Sequence, residues 1–257
     1  MRWDPTQYQR FADERGRPFH DLVGRIGAER PRRVLDIGCG PGTLTAGLAS
    51  RWPDAEIEGV DSSPEMIERA AALAGGHLSF RLGDAAQLEV PPDADVVMSN
   101  ATLQWVPDHP RHVQRWAATL PAGGWLAFQV PGNFRSPSHA LMREIAESPR
   151  WAGQTAGVIR HLDGGLEPQQ YAELLLDAGL RTEVWETTYT HVLPGDDPVL
   201  EWMRGTGLRP ILAVLAEEDV RAFEAEYAAA LRQAYPATAH GTLFGFRRIF
   251  CVAQRVG

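Results

Sequence analysis

A short apolar strand that runs into a glycine-rich turn constrains the fold of this chain more than any other feature. The stretch 34–37 is mostly apolar and is followed by Gly38, Gly40 and Gly42. A second apolar run ends in Asp61, 21 residues after Gly40. Glycines allow a tight turn and a close approach of the backbone to a ligand, and an acid at the tip of the second strand can accept hydrogen bonds from a ribose diol. The pattern predicts a nucleoside-containing cofactor at the carboxyl end of a parallel sheet.

The same residues discriminate between nucleoside cofactors. A dinucleotide fold needs a third glycine at position 43, and that residue is Thr43. A phosphate-binding P-loop needs a lysine, and all 25 basic residues of this chain are arginine. Asp36 would lie beside the turn and repel a pyrophosphate, whereas the sulfonium of S-adenosylmethionine is cationic. These observations favour S-adenosylmethionine.

Strand and helix signals alternate along most of the chain, which favours a parallel sheet covered on both faces. The predicted strands are 33–37, 56–61, 78–82, 95–99, 125–130, 182–191 and 242–253. The predicted helices are 18–26, 43–51, 64–73, 110–119, 138–147, 168–178, and two or three between 198 and 234. We predict one domain with a cofactor core (31–191 and 242–257), and a substrate-capping arm (1–30) and insertion (192–241).

Four stretches in order resemble the motifs of class I S-adenosylmethionine-dependent methyltransferases: 34–42, 59–67, 82–85 and 96–100. The resemblance implies a Rossmann-like α/β fold with a seven-stranded, mostly parallel sheet, helices on both faces and a helical substrate cap. It implies that Asp61 binds the ribose, that Met66 lies beneath the adenine and that Asp84 lies near the adenine amino group. The full set of expected cofactor-binding residues is Asp36, Gly38, Gly40, Asp61, Ser62, Met66, Asp84, Ala85 and Asn100.

Composition limits the kinds of molecule that this protein is expected to bind. The net charge is −8, and a nucleic-acid substrate would need a basic face. No run of 18 apolar residues and no apolar amino-terminal core is present, so we expect no membrane span and no secretion signal. The two cysteines form no disulfide framework, and a cytoplasmic location fits. We predict a small-molecule substrate and no metal site; the sequence leaves the oligomeric state open.

The residue types around the fourth predicted strand bear on the methyl acceptor. A nitrogen or phenol acceptor needs a general base, for which His109 and His112 are candidates. A carboxylate acceptor is ionised at neutral pH and needs only orientation, for which arginine is suited. Gln104 and Trp105 follow the strand where the acceptor must meet the methyl group, and their N–H groups can orient a carboxylate without neutralising it.

The chain as a whole resembles the trans-aconitate 2-methyltransferase family. The resemblance rests on residues 3–18, 100–109, 141–144, 206–210 and 246–250. It implies that a tricarboxylate is methylated on one carboxylate to a monomethyl ester. We expect catalytic roles for Trp105, Gln104 and Tyr8, with Tyr8 and Arg15 closing the arm over the ligands. The expected substrate-binding residues are Arg15, Arg209, Arg248, Arg143 and Arg204.

Three alternatives stay open at this point. Another small metabolite as acceptor would call for an apolar pocket rather than an arginine-lined one. A cofactor-binding regulatory protein would have a degenerate acceptor site. A nicotinamide oxidoreductase would need the missing third glycine. An acidic protein that binds a trianion needs a local basic cluster, because its overall field is repulsive.

Overall fold

A computed structural model describes residues 12–158 and 165–257. The helices are α1 Ala12–Gly24, α2 Thr43–Arg51, α3 Pro64–Ala71, α4 His109–Thr119, α5 Pro137–Ala146, α6 Ala152–Thr155, α7 Pro168–Asp177, α8 Pro198–Arg204, α9 Arg209–Leu212 and α10 Glu217–Ala234. The strands are β1 Arg33–Ile37, β2 Glu56–Asp61, β3 Leu78–Leu82, β4 Val96–Asn100, β5 Trp125–Pro131, β6 Leu180–Leu193, β7 Ala237–Thr238 and β8 Gly241–Arg255.

The strands form one mixed sheet in the order β3-β2-β1-β4-β5-β8-β6, with β7 paired to β8. The pairs β1/β2, β2/β3, β1/β4 and β4/β5 are parallel, and β5/β8 is antiparallel. The direction in which the chain adds strands reverses between β1 and β4. In open α/β sheets, ligands bind outside the carboxyl ends of the strands at such a reversal.

The expected α/β fold with a mostly parallel, Rossmann-like sheet is confirmed. All seven predicted strands are present, and the two-residue β7 is an eighth that the sequence did not predict. The predicted helices between 18 and 178 are present: 43–51 has the predicted bounds, the others differ at one or both ends, and the described part of α1 starts six residues before the predicted beginning. The 3-10 turn Leu103–Trp105 and the short α6 were not predicted.

Local sequence explains where several helices begin. Proline occupies one of the first two helical positions in six helices, where its missing N–H would be unpaired in any case and its fixed φ suits the helix. At α3 the Ser63 hydroxyl also accepts a hydrogen bond from the Met66 amide. The central strands β1, β4 and β5 are almost wholly buried, as expected for parallel strands covered on both faces.

The chain divides into two compact units. The first, called the sheet unit, comprises the described residues of 15–131, 165–187 and 248–257. Its core surrounds the fully buried side chains of Trp116, Phe128 and Tyr171.

The second, called the helical unit, comprises the described residues of 1–14, 132–164 and 188–247. Its core surrounds Trp151, Trp202 and Phe223. The segment 132–158 therefore groups with 188–247, whereas the sequence assigned it to the cofactor core. The predicted division into core and cap stays a prediction.

None of the described helices combines the length and the apolar character that a membrane crossing needs.

Candidate functional site

The glycine-rich turn after β1 is held against the end of β2. The amides of Gly38 and Cys39 both donate to the carbonyl of Val60, at 2.7 and 3.1 Å. Gly38 has a φ of 82°, which other residues rarely adopt. A Cβ there would lie 2.0 Å from Oγ1 of Thr102, in the segment after β4. The backbone of the turn therefore approaches the end of β4 more closely than any side chain allows.

Asp61 joins the turn to the segment that follows β2. Its Oδ2 accepts from the amide of Gly40 and its Oδ1 from the amide of Ser63, both at 2.9 Å. Each carboxylate oxygen has a second acceptor position, so Asp61 can receive a further donor on either oxygen. A half-buried acid in this position is suited to a ribose diol.

Asp36 is a buried acid beneath the turn. Its side chain is 3 % exposed, and Oδ2 accepts a 2.6 Å hydrogen bond from the Thr45 hydroxyl. Burial raises the pKa of the Asp36 carboxyl to about 6, and the charge of Asp61 adds to the rise, while the Thr45 hydrogen bond opposes it. A cation bound nearby would therefore stabilise the ionised form, whereas a pyrophosphate would be repelled.

The remaining predicted cofactor residues lie near the ends of β2, β3 and β4. Ser62 is exposed directly after β2, and Met66 is buried in the first turn of α3. Asp84 is exposed two residues after β3 and accepts from the Ala86 amide at 2.9 Å, while Ala85 is buried. The sheet thus brings all nine predicted cofactor residues to the carboxyl edge of β1 to β4.

The acceptor candidates follow β4. Gln104 and Trp105 belong to the 3-10 turn, with Gln104 buried and Trp105 half-buried. The amide nitrogen of Gln104 donates to the carbonyl of Ala101, so part of its donor capacity is used locally. Thr102 donates from Oγ1 to the carbonyl of Gly38 at 3.3 Å, which connects this segment to the glycine turn.

Gln129 near the end of β5 was missed by the sequence analysis. It lies in register with Asn100 on β4 and has no exposed surface. Neither Oε1 nor Nε2 makes a hydrogen bond with any residue that the structure describes, and the same holds for Oδ1 of Asn100. The sequence pattern that could have identified Gln129 is a single amide within an otherwise apolar strand.

The predicted substrate arginines are divided between the units. Arg248 is buried in the sheet unit, opposite Pro131. Arg143, Arg204 and Arg209 belong to the helical unit. Tyr8 lies outside the described residues, and Arg15 falls in α1 with its side chain outside the described part.

Arg204 is engaged with carboxylates of its own unit. Its guanidinium makes two hydrogen bonds to Glu224, at 2.6 and 2.7 Å, and a further ion pair with Glu201. These hydrogen bonds and charges raise the pKa of Arg204. Two carboxylates on one guanidinium leave no excess positive charge for a substrate anion at this position.

Arg143 differs, because it has no acidic partner among residues 12–158 and 165–257. It is half-buried on α5, one turn after His139. Nδ1 of His139 lies 3.3 Å from Oγ of Ser136 and 3.2 Å from Oγ of Ser138. Burial, together with the charge of Arg143, lowers the pKa of His139 to about 4, so the ring is neutral at pH 7.

Gly207 faces the other nitrogen of this histidine. A Cβ on Gly207 would lie 3.3 Å from Nε2 of His139 and 3.2 Å from the terminal methyl of Met203. Nε2 of the neutral ring therefore lies next to a residue without a side chain, on the same helix as an arginine with no acidic partner in the described chain. His139 was also missed by the sequence analysis, which treated α5 only as a helix.

The candidate base His109 is engaged in the core, and the thiol of Cys39 in the glycine turn is unreactive. His109 is 5 % exposed, and its Nε2 lies 2.7 Å from the hydroxyl of Tyr171. Burial lowers the pKa of His109 to about 4, and the tyrosine contact fixes the ring in the core. Burial and the charges of Asp36 and Asp61 raise the pKa of the Cys39 thiol, which therefore stays protonated near pH 7.

The donor set fits S-adenosylmethionine better than a phosphate-bearing cofactor. Asp36 and Asp61 lie at the turn, Asp84 follows β3 at the same edge of the sheet, and the buried Oδ1 of Asn100 is an acceptor in need of a donor. Acceptors and negative charge match an ammonium, a sulfonium and ribose hydroxyls. No arginine or lysine lies in the turn to neutralise a phosphate.

Comparison with known proteins agrees with this geometry. A family profile described as a methyltransferase domain matches residues 34–124. Among solved structures, the YcgJ protein from Bacillus subtilis has a TM-score of 0.64 at 16 % identity, covering 94 % of this chain and 99 % of that one. Phosphoethanolamine N-methyltransferase 2 of Haemonchus contortus, solved with S-adenosyl-L-methionine, has a TM-score of 0.56 at 18 % identity, covering 94 % of this chain and 53 % of that one. These likenesses show the fold.

Sequence relatives are much more similar. A trans-aconitate 2-methyltransferase of Streptomyces avermitilis is 53 % identical, covering 98 % of this chain and 97 % of the relative. One of Mycobacterium sp. (strain KMS) is 51 % identical, covering 98 % and 99 %. With half of its residues identical over nearly the full length of both proteins, the chain belongs to the trans-aconitate 2-methyltransferase family.

Proposed function

We propose that this protein transfers a methyl group from S-adenosylmethionine to one carboxylate of trans-aconitate and forms the monomethyl ester. The observation that carries the proposal is the 53 % identity to a trans-aconitate 2-methyltransferase over 98 % of the chain. The chemistry of the glycine turn supports the methyl donor, because acids rather than bases surround it.

The donor brings the reactivity when bound: its sulfonium is a good leaving group for a methyl displacement. The residues of the chain have to hold the donor, align the acceptor and exclude water. Holding two reactants in line can lower a barrier by about 7–11 kcal/mol in favourable cases. We propose that the nine cofactor residues at the carboxyl edge of β1 to β4 hold the donor, with Asp61 on the ribose.

A carboxylate acceptor needs no general base, and one of the two candidate bases, His109, is not available to act as one. His109 is bonded to Tyr171 in the core, and a carboxylate nucleophile is ionised at pH 7 and loses no proton. We propose that Trp105 and Gln104, with Tyr8, orient the acceptor near the end of β4. A phenol or amine acceptor would need a base that these residues do not supply.

For recognition of the carboxylates that do not react, we retain Arg15, Arg209 and Arg248 as candidates and place Arg143 first. Arg143 has no acidic partner in the described chain, and His139, one helical turn before it, is neutral at pH 7 and carries no charge that would repel its cation. We leave Arg204 out, because Glu224 and Glu201 already occupy its guanidinium.

The test of the function is methyl transfer from labelled S-adenosylmethionine to trans-aconitate, with cis-aconitate, citrate, isocitrate and a long-chain fatty acid in parallel. We expect trans-aconitate to be labelled preferentially, as a base-labile ester. If no acid is labelled while the cofactor still binds, the chain acts on another acceptor or has a regulatory role. Amine, phenol and thiol acceptors would then be assayed.

Replacing Arg143 by methionine is expected to raise the KM for trans-aconitate about 10- to 100-fold, because a charge-assisted hydrogen bond contributes about 1.5–3 kcal/mol. The dissociation constant for S-adenosylhomocysteine should stay within twofold. Arg221→Met is the matched control, since Arg221 is an exposed arginine of the same unit. Equal changes in both variants, or an equal loss of cofactor affinity, would contradict the role of Arg143.

A further inference from the structure

The side chain of Gln129 is a buried amide that the protein itself leaves unsatisfied. It has no exposed surface, and within the described chain neither its oxygen nor its nitrogen has a hydrogen-bond partner. An unsatisfied buried polar group costs about 1–3 kcal/mol, and the large majority of buried side-chain polar atoms are paired. A leucine or methionine would fill the same place without this cost, so the amide calls for a functional reason.

Sheet register places a second amide beside it. Gln129 on β5 pairs with Asn100 on β4, and side chains in register on neighbouring strands point to the same face. The backbone holds the two strand ends together, since the Ala101 amide donates to the carbonyl of Gln129 at 2.9 Å. Three buried polar atoms without partners in the described chain therefore lie at the carboxyl ends of two adjacent strands.

Strand order indicates which reactant these amides face. The residues expected to hold the donor follow β1, β2, β3 and β4, whereas β5 lies on the far side of β4 from β1. Adjacent strands are about 4.8 Å apart, so β5 lies about 10 Å from β1. Gln129 is therefore displaced from the glycine turn, and its strand contacts the 3-10 turn of Gln104 and Trp105, which we propose to orient the acceptor.

We infer that Nε2 of Gln129 donates a hydrogen bond to the carboxylate that receives the methyl group, whereas the neighbouring Oδ1 of Asn100, an acceptor, faces a donor of the cofactor. This inference rests on the proposed function. In the step, a carboxylate oxygen bonds to the methyl carbon, and the carbon–sulfur bond breaks with its electron pair passing to sulfur. No proton moves, so the acceptor needs orientation and no base. An amide N–H holds a carboxylate oxygen without adding the full charge that would weaken the nucleophile.

The experiment is Gln129→Met, which removes the amide at similar side-chain volume. We expect kcat/KM for trans-aconitate to fall about 10- to 100-fold, as for the loss of a hydrogen bond to a charged group. The dissociation constant for S-adenosylhomocysteine should stay within twofold. The melting temperature should hold or rise, because two unsatisfied groups leave the core. Gln114→Met, at an exposed position on α4 of the same unit, is the control.

Each other outcome overturns the inference in a distinct way. An unchanged kcat/KM, with a higher melting temperature, would mean that the amide only destabilises the fold and has no role in binding the substrate. A weaker affinity for S-adenosylhomocysteine with an unchanged KM for trans-aconitate would place Gln129 on the cofactor. If Gln129→Met does not fold, Gln129→Leu serves for the same comparison. A native chain that does not methylate trans-aconitate refutes the proposed function and this inference with it. Normal native activity that the variant retains refutes the inference alone.

Discussion

Replacing Gly38 by alanine is expected to reduce S-adenosylhomocysteine affinity at least 100-fold and to lower the melting temperature by several degrees. The new Cβ would lie 2.0 Å from Oγ1 and 2.5 Å from Cβ of Thr102, distances that no rotamer change of Thr102 can relieve. The backbone must move, and the turn and the segment after β4 separate. The positive φ of 82° adds about 1–2 kcal/mol of strain for a residue with a Cβ.

Gly123→Ala separates these two causes. Gly123 has a φ of 81°, but a Cβ there meets no atom within 4 Å. It should show the conformational strain alone, with unchanged cofactor affinity. Calorimetric titration with S-adenosylhomocysteine and thermal unfolding without ligand measure both effects. A double variant, Gly38→Ala with Thr102→Gly, removes the three nearest contacting atoms and should recover part of the stability. If Gly38→Ala binds the cofactor as tightly as the native chain does, the turn does not hold the cofactor.

The sheet unit was largely predictable because its signals are local. The apolar run 125–130 is bounded by Gly124 and Pro131, and the prolines at helix starts mark where α3, α4 and α7 begin. The acids Asp36, Asp61 and Asp84 follow from strand ends in the same way. Parallel pairing then brings the ends of β1 to β4 to a single edge without further information.

The helical unit could not be predicted in this way, because long-range contacts define it. The hydroxyl of Tyr227 donates to the carbonyl of Ser138, 89 residues earlier, and the hydroxyl of Tyr235 accepts from the amide of the same serine. Tyr227 does not stand out in the periodicity of α10, and Tyr235 directly follows that helix. These contacts group 132–158 with 188–247, and they hold the first turn of α5, which carries His139.

The site residues that were missed illustrate the same limit. Gln129 is informative only once its register with Asn100 and its lack of a partner in the described chain are known. Arg204 and Arg143 are equivalent in the sequence, and only the carboxylates of Glu201 and Glu224 distinguish them. The sequence identifies which residue types are present. The function of an amide or an arginine depends on which hydrogen-bond or ion-pair partners its side chain already has in the fold.

Replacing Asp61 by alanine is expected to weaken S-adenosylhomocysteine binding about 100-fold or more. Two charge-assisted hydrogen bonds, to the amides of Gly40 and Ser63, hold the turn, and each contributes about 1.5–3 kcal/mol. The proposed bond to the ribose is lost as well. Asp61→Asn keeps one oxygen as an acceptor but loses the charge, so its loss of affinity should be intermediate.

Asp84→Ala is the comparison that separates the contribution of the turn's hydrogen bonds from that of a cofactor acid alone. Asp84 is also a predicted cofactor acid, but it is exposed and accepts only one local amide, that of Ala86, among the described residues. Its removal should cost about tenfold or less in affinity, equivalent to about 1.4 kcal/mol. The measurement is the dissociation constant for S-adenosylhomocysteine in all three variants, with melting temperatures recorded without ligand. Native affinity in Asp61→Ala would contradict the ribose assignment. A loss in Asp84→Ala as large as that in Asp61→Ala would mean that the hydrogen bonds of the turn do not set the affinity.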